Sequence, residues 1–266
     1  MIPLLLDNLY SLLRQEGHIT HSCITSGLTE LRNANIGDSI GKYYRGFFQI
    51  SIGLERMLKL ALLLHQIVDC KGRPKQDIKQ LGHNLKELYS IVDELVNTKG
   101  INRNEGLSDS PYKERLLDFF TNFASGARYA NLDALNSKEK FVEPLLKWKG
   151  ILDSIIDNEI SEKTKSRIKQ KSEYFYYLMR QRVGVVSYDL DSSQLSVYDY
   201  FIRPPLLTEA AKHIIWHLIL LIYPVKQLIS TFSYQNNNKF EIPYMEEFYD
   251  FLYLDRNYNF RKTRWV

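Results

Sequence analysis

SIGKYYRGFFQISIGLERMLKLALLLHQ, residues 39–66, decides the fold. Its apolar residues, among them Tyr43, Phe47, Ile50, Leu54, Leu58 and Ala61, recur at the three-and-four spacing of a helix rather than the alternation of a strand. They cover more than half the helical circumference, which predicts a rod at the centre of a bundle. Glu55 and Lys59 stand one turn apart, where opposite charges attract. Gly72 and Pro74 are expected to end the rod.

Working outward, Asp77 to Val96 resumes helical spacing through Leu85, Leu88, Ile91, Val92 and Leu95. The two rods are expected to lie antiparallel, with Gly82 and His83 at a shared end. Gly100 to Ser110, rich in Asn, Gly and Ser, reads as a loop. Tyr112 to Ala124 and Phe141 to Ile156 are further amphipathic helices, the second with Pro144 in its first turn. Val183 to Tyr200 reads as an irregular connection with room for a short hairpin. Thr208, after Pro204 and Pro205, is placed to cap a helix reaching Phe232, with Asn236 to Asn238 as a turn beyond it. Met245 to Leu254 predicts a short last helix, and Asn257 to Val266 a frayed tail. On the amino-terminal side, Ile2 to Arg14 predicts an accessory helix stopped near Gly17, not a secretory signal.

The fold class that follows is all-α. Hydrophobic residues make up 44% and charged residues 25%, the balance of a chain that folds and not of a disordered one. A net charge of +4 permits an anionic partner but is far from a dedicated nucleic-acid binder. Cys23 and Cys70 form no CxxC unit, so neither a disulfide framework nor a zinc knuckle is expected, and a reducing, cytoplasmic setting fits. Ile214 to Tyr223 is the most apolar run. It falls short of the roughly 20 residues a bilayer requires, so no membrane contact is expected.

YYRGFFQISIGLERMLKLALLLHQ, then LGHNLKELYSIV, then FASGARYANLD, together resemble a HEPN domain over about residues 20–150. Glu55 and Lys59 match that family's paired helix, and Gly82, His83 and Leu85 match its Gly-His helix start. Arg128 with Tyr129 matches its aromatic-containing basic element. The resemblance implies a HEPN-like helical bundle over residues 1–150, extended by a further helical region over 151–266. It also implies a dimer that binds RNA or a nucleotide, in a family whose members are commonly RNases of toxin and antiphage systems. The nucleotide-binding residues it points to are His83, Arg128 and Tyr129, without a cofactor. The family's catalytic Arg and His have four to six residues between them. The chain departs from that pattern except at Arg14 and His21, which lie ahead of the domain with Gly17 between them and are expected in a loop, so no catalytic residue is assigned.

Taken from its position alone, His83 reads first as a helix-capping or buried hydrogen-bonded histidine, and only second as a phosphate ligand. Glu209, His213 and His217 share one helical face, but without further ligands they read as satisfied histidines rather than a metal site. A non-catalytic helical module that dimerises or docks on a protein partner is the alternative function.

Overall fold

In a computed structural model, the chain is described over residues 3–37, 39–70, 81–101, 110–126, 135–136, 143–182, 184, 186–240 and 242–265. The protein is all-α. Its helices are α1 (Pro3–Arg32), α2 (Gly41–Asp69), α3 (Leu85–Thr98), α4 (Lys113–Ser125), α5 (Pro144–Asn158), α6 (Glu162–Met179), α7 (Val197–Phe240) and α8 (Arg256–Arg261), with a 3-10 turn at Met245–Phe248. One isolated antiparallel bridge, Tyr188 with Gln194, stands in the irregular segment before α7.

Helix α1 runs straight through Gly17, so the expected stop is wrong, and the polar stretch after it is helical. Thr20, Thr25 and Thr29 are accommodated in it, their hydroxyls donating one turn back to the carbonyls of Glu16, His21 and Thr25, each at 2.8 Å. Gly17 answers to packing rather than to a helix stop, since a Cβ there would stand 2.5 Å from the Phe248 ring. Helices α1 and α2 form an antiparallel pair, with Glu30 on Arg45 (3.2 Å) at one end and Glu16 on Arg56 at the other. Between these ion pairs the backbones approach closely. Gly27 faces Ile50, Gly46 faces Leu31 and Gly53 faces Ile24.

A Cβ at Gly27 would meet Ile50 side-chain carbons at 2.7 Å and its backbone nitrogen at 3.0 Å, whereas one at Gly150 on α5 would meet nothing. Gly27→Ala is therefore expected to cost about 1–3 kcal/mol by forcing the helices apart. Gly150→Ala is expected to gain up to about 1 kcal/mol from helix propensity alone. Urea denaturation of the two variants measures the difference, and equal shifts would refute this packing.

Helix α2 matches its expected span, and Glu55 and Lys59 pair at 2.8 Å. Residues 71–80, including the expected breakers Gly72 and Pro74 and the start of the next rod, lie outside the described residues. The described part of that rod starts only at Leu85. It is not antiparallel to α2. His83, ahead of α3, touches Glu55 midway along α2, while Lys99, just after α3, shares the Phe232 ring with His65 near the end of α2. Helix α3 thus runs in the same sense as α2. Helix α4 returns antiparallel to α3, with Lys86 on Asp118 (2.9 Å) and Lys113 on Asp93 (3.4 Å). Helix α5 reverses again, placing Arg115 against Ser154 and Phe119 against Trp148.

Helix α7 begins at Val197, so Thr208 is internal and is no cap. Pro204, Pro205 and Pro224 lie within it, each removing one backbone hydrogen bond. Thr208 instead donates to Pro204 O at 3.0 Å. Asn236 to Asn238 is helical and not a turn. By length and composition α7 would reach across a bilayer, but 61% of its most apolar window is buried inside the protein. One continuous core extends from Leu13 to Trp265 and draws residues from both sides of position 150. The expected helix at Met245 to Leu254 is only a 3-10 turn followed by a hydrogen-bonded turn and irregular chain. Over residues 257–265 the expected frayed tail is ordered instead. Helix α8 forms, the Trp265 amide donates to Thr29 Oγ1 at 3.0 Å, and the Trp265 side chain is buried. Helix α6 has no counterpart in the sequence reading, because Ser172 is its one fully buried residue and it offers little apolar periodicity.

Candidate functional site around His83

Gly82 has φ +66°, the left-handed region that glycine adopts without strain, and the chain turns there into α3. Asn84, not His83, caps the helix by accepting the amides of Lys86 and Glu87 at 3.2 and 3.3 Å. The His83 ring is left to reach back to α2, where Nδ1 lies 2.8 Å from Glu55 Oε1. An ionised carboxylate only accepts, so Nδ1 carries the hydrogen and Nε2 remains for another partner. Lys59 Nζ donates to the same Glu55 oxygen at 2.8 Å. The His83 side chain is 74% exposed and Glu55 19%, so the imidazole faces solvent above a half-buried anion.

Beside this pair is a cavity of about 170 Å³ lined by Phe48, Ser51, Ile52, Glu55, His83 and Phe123. The hydroxyl oxygen of Ser51, one of the lining residues, is buried and without a hydrogen-bond partner among the described residues. Phe48, Ser51, Ile52 and Glu55 form one stripe at helical spacing along α2, a signal present in the sequence but not singled out there. Arg128 and Tyr129, the other two nucleotide-binding residues expected, lie outside the described residues. The largest of the cavities described, about 640 Å³, lies elsewhere, between the turn after α1 and residues 186–192.

A second polar cluster is buried between α4, α5, α7 and α8. The Glu159 carboxylate accepts from His213 Nδ1 at 2.8 Å and from His217 Nε2 at 2.7 Å. On its other side the His217 ring meets the Ser110 hydroxyl, 3.0 Å from Nδ1, and Ser110 Oγ in turn accepts the Tyr112 amide. Arg256 Nη2 approaches the carboxylate at 4.0 Å. Burial pushes the Glu159 carboxyl up, but the hydrogen bonds and charge of the two histidines outweigh it and hold it at about 2. The sequence places His213 and His217 on one face correctly. Their partner is Glu159 and not Glu209, which pairs with Lys212 at 2.6 Å. Among the described residues no group of three or more His, Cys, Asp or Glu side chains is arranged to hold a metal ion.

Because α1 is continuous, Arg14 and His21 are not in a loop. They stand two turns apart on one helix, with His21 Nδ1 donating to Phe248 O at 2.8 Å. No family model, no curated protein and no solved structure matches the chain.

Proposed function

We propose that this all-α protein is HEPN-like and binds RNA or a nucleotide at the His83 surface. The observation that carries the reading is the exposed His83 imidazole, oriented by Glu55 through Nδ1 and standing over a cavity walled by Phe48 and Ser51. Its Nε2, the nitrogen not used on Glu55, is free to donate to a phosphate oxygen when it carries a hydrogen and to accept a hydrogen bond when it does not. The Phe48 ring, 37% exposed, offers a face to a base. A volume of about 170 Å³ is below the roughly 300–1,000 Å³ of a site for a whole small molecule. The cavity therefore takes one base or phosphate of a longer ligand. A place in a bacterial toxin, antiphage or stress system, in the cytoplasm, and a homodimeric state follow from the family resemblance alone.

His83→Ala is expected to weaken binding of labelled RNA or of a nucleotide at least tenfold without moving the unfolding midpoint, since the ring is exposed. Fluorescence anisotropy measures the affinity, and the same mixtures run on a denaturing gel show whether RNA is cut. Equal affinity in wild type and variant would refute the site. The alternative, a non-catalytic interaction or dimerisation module, is favoured by the way Glu55 is already engaged by both Lys59 and His83 Nδ1. A dimer with no RNA or nucleotide binding would establish it.

A further inference from the structure

We infer that the solvent face of α6 is a track for single-stranded nucleic acid, a second binding surface that goes beyond the His83 site. Residues 162–182 carry seven basic side chains against two acidic ones, a net of +5 in a chain whose total is +4. The remainder of the protein therefore nets −1 (+4 less +5), although residues 71–79 and 256–264 also hold basic side chains. Helix α6 packs inward through Ser172 and Tyr176, whose ring meets Tyr198 at 5.4 Å and Phe201 at 6.4 Å. The opposite side carries Lys163, Arg167 and Lys171 at four-residue steps, about 6 Å apart along the axis. None of these three forms an ion pair among the described residues.

Farther along the same side stand Tyr174, Tyr177 and Leu178, exposed by 61%, 65% and 53%. Arg180, 5.1 Å from the Tyr177 ring, and Arg182 close the far end. The order along the helix is thus basic, aromatic, basic. Large exposed rings serve no purpose in the fold of α6, since the core contact is made by the other side.

Charge complementarity selects an anion, and the rings select among anions. A single strand offers phosphates to the Lys and Arg side chains and unstacked bases to the tyrosines, whereas a duplex has its bases already stacked. An interfacial membrane helix would instead need an apolar stripe along its length with basic residues beside it. Here the basic and aromatic residues succeed one another along the axis, which fits a ligand that runs lengthwise.

The test is anisotropy of a labelled oligouridylate across a salt series, with wild type, Lys163→Gln/Arg167→Gln/Lys171→Gln, Tyr174→Ala/Tyr177→Ala and His83→Ala. All substituted residues are exposed, and the unfolding midpoint of each variant verifies its fold. Wild type is expected to bind, to prefer the single strand over a duplex of equal length, and to weaken with salt. The triple variant should lower the salt slope by about 2, and loss of each tyrosine should weaken binding about fivefold or more. If the triple variant keeps both affinity and slope, or if only His83→Ala loses binding, the track is refuted while the His83 reading stands. If the α6 variants lose binding and His83→Ala does not, the track holds and the His83 reading fails. Pelleting with vesicles of phosphatidylcholine and phosphatidylserine, abolished by the same α6 variants in the absence of RNA binding, would make α6 a membrane face and overturn the inference.

Discussion

Glu159→Ala is expected to lower the unfolding free energy by about 3–5 kcal/mol, because it leaves two buried imidazoles with their donors unmatched. His213 is 5% exposed and His217 3%, and both direct a ring N–H at this one carboxylate. The variant should melt on the order of 10 °C below wild type. The same carboxyl sets an acid limit. Its folded value is depressed to about 2 from the ordinary 4.5, so its stabilisation is fully present above about 4.5 and is lost as pH falls toward 2. With allowance for its partly exposed position, the loss is about 1–3 kcal/mol. Urea titrations of wild type and Glu159→Gln at neutral and acid pH separate the effects. The variant should start lower and decline less through that window, and parallel curves would show that the carboxylate does not have the role given to it here.

Phe47→Ala should be as damaging, at about 3–5 kcal/mol, whereas Phe48→Ala should cost only about 1 kcal/mol. Phe47 is fully buried, with its ring 4.7 Å from Phe119, 5.4 Å from Phe123 and 4.9 Å from Trp148, so it joins α2 to α4 and α5. Phe48 meets one ring, Phe123 at 5.0 Å, and is 37% exposed. Adjacent identical residues on a helix differ only in the side they face, so the comparison measures the rotational register of α2. A larger loss at Phe48 would place the cavity wall in the core and remove the His83 site.

Helices α2, α4 and α5 were legible because their apolar spacing coincides with what they bury. Helix α1 was half legible. Gly17 and the threonines read as signals to stop, yet Gly17 answers to Phe248, about 230 residues on, and each threonine satisfies its hydroxyl within its own helix. Pro204 and Pro205 misled in the same way, since only local sequence argued for a break and α7 is held by packing from many sides. At the sites, helical spacing brings His213 to His217 and Glu55 to Lys59. The long-range partners, Glu159 for the histidines and His83 for Glu55, depend on how helices stack, which no local pattern encodes. Helix α6 escaped notice because a rod that buries almost nothing lacks the periodicity by which rods are recognised.

Helix α7 also governs the order in which this protein is made. Core residues from Leu207 to Phe232 cover the greasy flanks of α1 to α5, yet they leave the ribosome after all five. At about 5–20 residues per second, α1 waits on the order of 10–40 s for this lid and α5 about 3–15 s. A nascent chain in that interval is a natural client for a chaperone, and slow codons ahead of α7 would lengthen its exposure.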